Sequence, residues 1–201
     1  MRPLSYALAL ASVVALPLAA QTPSRWSVEV NADAAIPTRS LAGADLRTGF
    51  GLGANLRFRL QPHLAAYGGW EYHHFRTDQL IPNRTETFDV EDTGYTFGLR
   101  FEHPLRGEGI PGASGPSWFV RAGGLATHIE TENDAGSLVG DTGHGLGFEV
   151  GGGMALPLGS RLVVTPGVRY RSLSRDLTLV GTTRRATLAY VTAGVGATFS
   201  F

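Results

Sequence analysis

The chain contains no cysteine and no lysine, and its 17 acidic residues are balanced by 17 basic ones, all arginine. Without cysteine there is no disulfide framework, which argues against a small stapled secreted domain. Without net charge there is no electrostatic footprint for nucleic acid. The exclusive use of arginine reflects coding bias above all. A physical share remains, because arginine pairs with buried carboxylates through several donors at once and lysine does not. Past residue 20, no segment is apolar enough for a membrane helix. A length of 201 residues leaves room for one domain, or at most two small ones.

The start of the chain, MRPLSYALALASVVALPLAA, is apolar. Arg2 gives a short positive lead, residues 4–16 form an apolar stretch, and Leu18-Ala19-Ala20 stands before Gln21 as a cleavage site. This pattern predicts a secretory signal peptide over 1–20 and a mature domain over 21–201. The apolar stretch falls short of the roughly 20 residues of an anchor helix. No cysteine follows the cleavage site, so a lipoprotein is excluded.

What fills the remainder is a period of two, recurring eight times. WSVEVNADAAI sets Val28, Val30, Ala32, Ala34 and Ile36 against Ser27, Glu29, Asn31 and Asp33. TGFGLGANLRFRL, HLAAYGGWEYHHF, TGYTFGLRFEH, HGLGFEVGGGMAL, RLVVTPGVRYR and the closing YVTAGVGATFSF repeat the pattern. SWFVRAGGLATHI is less clean, because Phe119 and Leu125 fall on the side of Arg121. Connections after the second and sixth runs are tight. Those after odd runs are long and polar: PTRSLAGADL, RTDQLIPNRTETFDVED, ETENDAGSLVGDT and SLSRDLTLVGTTR. The segment PLRGEGIPGASGP, residues 104–116, breaks the rule and reads as a flexible turn.

Eight alternating strands make either a soluble barrel with an apolar heart or a membrane barrel with an apolar exterior. Large aromatics crowd the apolar face, and glycine crowds the other. Aromatics also gather at strand ends. Trp26, Phe58, Phe101, Trp118 and Phe201 would mark one rim, and Tyr72, Tyr95 and Tyr170 the other, as girdles at a lipid–water boundary. The runs also reach the ~9–11 residues of a tilted spanning strand. The expected fold is therefore all-β: an eight-stranded antiparallel up-and-down transmembrane barrel. In lipid an open sheet edge would leave unpaired N–H and C=O groups, so the first strand must pair with the last.

On these features the mature chain resembles the small outer-membrane barrels of Gram-negative bacteria, the OmpX-like and OmpA-transmembrane-domain-like group. The most specific element is the last strand, where Val195, Ala197, Phe199 and Phe201 match the alternating pattern with a terminal aromatic. The resemblance implies that this strand is an assembly signal for the barrel-assembly machinery. It also implies a cell outer membrane location, with membrane lipid and lipopolysaccharide as surroundings, and a monomer.

The polar phase collects Glu29, Asp33, Glu71, Glu102 and Glu149 with Arg57, Arg59, Arg100, Arg121, Arg169 and Arg171. A barrel of eight strands is just wide enough for its own side chains. The expectation is a lumen plugged by an Arg–carboxylate network, since buried charges need partners. Alternatives are a narrow pore, an OmpW-like conduit for small or hydrophobic solutes, and a surface adhesin.

Enzymatic chemistry is not expected. Barrels that deacylate lipid A carry His and Ser two residues apart, whereas His63, His103 and His128 are followed at that spacing by Ala, Leu and Glu. The Asp-Ser pair of the palmitoyltransferase barrels is also missing. No cofactor or metal site is expected. Glu71 and His73 share a face while His74 points the other way, which reads as a structural hydrogen bond. Acids such as Asp89, Glu91, Asp92, Glu130 and Glu132 read as solvated loop charges.

Overall fold

A computed structural model describes residues 24–41, 43–80, 87–107, 115–133, 137–179 and 182–201. The leader expected over 1–20 lies outside these residues, as does 108–114 of the long turn. The strands are β1 (Trp26–Pro37), β2 (Gly49–Gln61), β3 (Leu64–Leu80), β4 (Thr87–Pro104), β5 (Ser117–Asn133), β6 (Leu138–Asp141), β7 (Gly145–Pro157), β8 (Leu162–Leu179) and β9 (Thr182–Ser200). All pairings are antiparallel, and all but β5–β7 and β1–β9 join neighbours in the chain. The short β6 and β7 both pair with β5, one above the other, and together form one stave, so the barrel has eight. β1 pairs with β9 from Ser27↔Ser200 to Pro37↔Tyr190, which closes the cylinder as the cost of an open edge in lipid demands. At the foot of that seam the Phe201 N–H donates to the Trp26 carbonyl, and the Ser24 hydroxyl donates to the Phe201 carbonyl.

The alternation decides which way each side chain points. Val30, Leu52, Phe97, Val120, Phe148, Val168 and Val195 are each about half exposed on the outside, while Glu71, Glu149 and Arg171 are sealed within. This is a soluble protein turned inside out, and hydrocarbon is the solvent that makes it stable.

Three of the four polar segments expected as loops are largely strand. β3 runs on to Leu80 and β4 starts at Thr87. β5 reaches Asn133 and β6 follows. β8 and β9 pair as far as Leu179↔Thr182. Among the described residues, the first segment, 38–41 and 43–48, remains a connection, pinned by a Leu41↔Ala44 bridge. The physical reason is a reversal of polarity. Above the outer girdle the exterior faces water, so the same two-residue period turns its apolar set inward. On β3, Trp70 and Tyr72 face out and Phe75 faces in. On β8, Val168 and Tyr170 face out and Leu173 faces in.

The result is an apolar cluster in the outer part of the barrel. It comprises Ala35, Phe75, Phe88, Val90, Leu125, Ile129, Leu173, Ala186, Leu188 and Tyr190, with Leu41 and Ala44 folded in from the first connection. The expectation of an entirely polar interior is thus corrected for this section. Leu125, out of phase in the sequence, belongs to the cluster. Phe119 lies lower, under the Arg100 guanidinium at 3.6 Å.

Candidate functional site

Beneath the apolar cluster the lumen is crossed by ion pairs. Near the rim that holds Trp26, Phe58 and Phe101, Arg100 donates from Nη1 to Glu29 (3.2 Å) and from Nε and Nη2 to Glu102 (3.1 and 2.9 Å). Glu29 also accepts from Thr165 and Thr198 and has Arg57 at 3.7 Å. Midway, Glu149 Oε1 accepts from Arg121 (2.5 Å), the Tyr67 hydroxyl (2.6 Å) and Thr96 (3.0 Å), and the Arg121 guanidinium lies over the Tyr67 ring.

Higher up, Glu71 is clamped on both oxygens, by Arg169 at 2.6 Å and Arg171 at 2.7 Å. The other arm of Arg169 reaches Asp33 at 2.7 Å. Arg171 also donates to His73 Nδ1 at 2.9 Å. A guanidinium can only donate, so the ring proton sits on Nε2, facing Asp33 Oδ1 at 3.4 Å. The Tyr190 hydroxyl donates to Asp92 at 2.6 Å. These contacts run between β1, β3, β4, β5, β7, β8 and β9. β2 joins through Asn55 on Glu71 and Arg57 beside Glu29.

Glycine makes the crowding feasible. A Cβ on Gly98 or Gly123 would lie 2.5 or 2.3 Å from the Tyr67 hydroxyl, and one on Gly151 would lie 2.7 Å from Arg169 Cγ. The space left beside Glu29, Asp33, Phe119, Arg121, Thr165 and Arg169 is a cavity of about 40 Å³, room for a few waters.

The structure places every charged residue selected by phase, from Glu29 to Arg171, on the lumenal side. Arg59 is the peripheral member, partly buried near Glu102. The outward aromatics pair at the rims: Trp26 with Phe58 (4.6 Å between centroids), Phe101 with Trp118 (5.6 Å) and Phe148 with Tyr170 (6.0 Å). Tyr72 stacks on Trp70, and Tyr95 is exposed. Val195, Ala197 and Phe199 face out along β9, and Phe199 sits between Val28 and Leu162.

Asp92 corrects the sequence reading. It is fully buried rather than a solvated loop acid. Its parity with Gly94, Thr96 and Arg100 was the available signal. Arg175, two steps beyond Leu173 on the same face, was also missed. It spans the seam where β7 begins, donating to the carbonyls of Leu146, Ser174 and Thr127. Lumenal carboxylates are engaged by guanidinium, hydroxyl or imidazole groups and so make poor metal ligands. Glu91, Glu130 and Glu132, whose oxygens lie within 4.8 Å of one another, are on the exterior above the girdle.

A closed up-and-down barrel with an oily outer belt and a charged interior is a transmembrane β-barrel of the outer membrane. Residues 5–201 match the family described as outer membrane protein beta-barrel domain, and the chain belongs to that family. Its fold is similar to Neisserial surface protein A, NspA, at 13% identity over 90% of this chain and 100% of that chain, with a TM-score of 0.62. It is also similar to OprG of Pseudomonas aeruginosa, at 12% identity over 89% of this chain and 98% of that chain, with a TM-score of 0.53. No curated protein matches the sequence.

Proposed function

We propose that the protein is a sealed, non-enzymatic barrel that supports the outer envelope and presents its strand extensions to the outside, with no through-path for solutes. One observation carries this reading: Arg169 and Arg171 on β8 and Glu71 on β3 close ion pairs across the lumen, directly beneath the apolar cluster. Passage would require separating buried charges that are already matched, which costs several kcal/mol. In the same reading the leader over 1–20 is cleaved, Phe199 and Phe201 are presented to the barrel-assembly machinery, and the monomer sits among lipid and lipopolysaccharide.

Planar-bilayer recording of the refolded protein tests the seal. The expected trace has no stable open state, and proteoliposomes do not swell in sugar solution. A long-lived conducting state would instead identify a pore. Uptake of hydrophobic solutes without conductance would identify a conduit.

A further inference from the structure

The exterior above the outer girdle carries a cluster that the sealed lumen does not use. The stave made of β6 and β7 breaks at residues 142–144. Thr142 Oγ1 accepts from the Ile129 N–H, and Gly143 adopts a left-handed φ of 64°. The break carries His144 over β5, where its Nε2 lies 3.4 Å from Nδ1 of His128. The opposite nitrogen of His128, Nε2, lies 3.1 Å from Glu130 Oε1. With its ring proton on Nε2, the nitrogen beside Glu130, His128 presents its Nδ1 lone pair toward His144.

A carboxylate that orients a histidine in this way is the usual support of a metal-bound imidazole. Two nitrogens held at about 2.0–2.1 Å from one tetrahedral ion stand about 3.3–3.4 Å apart, which is the separation observed. Behind the pair, Glu91 stands directly across from Glu130, and Asp89 across from Glu132. Like charges in opposed positions weaken a sheet. A cation would offset that repulsion.

We propose that His128 and His144 bind a borderline divalent transition-metal ion of the zinc class on the outer face. Glu130 orients His128, and Glu91 and Glu132 add negative potential. Imidazole nitrogens select such ions over magnesium and calcium, which prefer all-oxygen sets. The remaining coordination positions are open to water. The site is invisible in the sequence, because its two histidines are 16 residues apart and meet only through the break in the stave.

The test is calorimetric titration of metal-stripped, micelle-refolded protein with zinc chloride, together with the absorption spectrum of the cobalt(II) form. One zinc per chain is expected at micromolar concentration, undisturbed by millimolar magnesium, with the intense visible bands of tetrahedral cobalt. His144→Ala and His128→Ala each abolish both signals, and Glu130→Gln weakens binding ~10–100-fold. His144 is exposed, so its variant carries the test if the His128 variant does not fold, as judged by heat-modifiable gel mobility. Zinc binding unchanged in His144→Ala overturns the proposal. So does magnesium competing equally while Glu91→Gln alone removes binding, since an acidic patch would then be the whole site. None of these outcomes bears on whether the lumen conducts.

Discussion

Glu71→Ala lowers the stability of the folded barrel by ~3–5 kcal/mol, read as a fall in the urea midpoint of protein in lipid vesicles. Both oxygens of Glu71 are committed, one to Arg169 and one to Arg171, and the residue is fully buried. After its removal Arg169 keeps Asp33 at 2.7 Å. Arg171 retains two more distant carboxylates, Asp92 and Glu149, each at 3.9 Å. A guanidinium then stays in a closed lumen without a close counter-charge. Glu71→Gln preserves the volume and loses the charge, and it is expected to move in the same direction. The internal standard is Asp78→Ala, which breaks the pair with Arg47. There the side chains are 69% and 64% exposed, and the change is ~0–1 kcal/mol. Equal midpoints for Glu71→Ala and Asp78→Ala would show that the lumen is wet enough to solvate a free arginine.

Leu99→Arg is the second large effect. Leu99 lies on the outer face of β4, between Phe101 of the lower girdle and Tyr95 of the upper, and is 49% exposed. In an aqueous setting such a substitution changes stability by ~0.5 kcal/mol or less. At the middle of a bilayer a lipid-facing arginine costs ~2–4 kcal/mol, falling to ~0–1 near the interface. Leu105→Arg, in the turn after β4, supplies the interfacial comparison. It is similarly exposed and should cost little. The depth dependence matters more than either value alone, because only a hydrocarbon slab produces it.

How far the sequence foretold this structure depends on what surrounds each stretch of strand. Between the girdles, the solvent outside is lipid and the occupants inside are charged. Hydropathy therefore reports facing directly, and Glu29, Arg100 and Arg169 could be placed by counting in twos. Above the girdle the exterior becomes water and the polarity reverses, while the period persists. Phe75, Val90 and Leu173 continue the inward series begun by Glu71, Asp92 and Arg171. Read by hydropathy alone, the reversal looks like the end of a strand, which is why the pattern stops β3 and β8 early and starts β4 late.

Partners across the barrel were illegible for another reason. Nothing local to Tyr67 indicates that its hydroxyl meets Glu149, 82 residues away. That contact depends on barrel closure and on Gly98 and Gly123, where a Cβ would collide with the Tyr67 hydroxyl. Counting in twos finds the lumenal charges between the girdles but not Asp92 or Arg175, and the fold decides which of them touch.

The central claim is that hydrocarbon touches the apolar flank of every strand. The chain has three tryptophans, Trp26, Trp70 and Trp118, and all three lie on that flank, 45%, 44% and 37% exposed. Tryptophan fluorescence of the protein in vesicles of brominated phospholipid is the most direct test. The expected result is strong quenching by bromines near the ester end of the chains, as befits girdle residues, and little quenching by aqueous iodide. Efficient quenching by iodide, with no effect of bromine at any depth, would mean that water bathes the outer face, and the barrel would then not be a membrane protein.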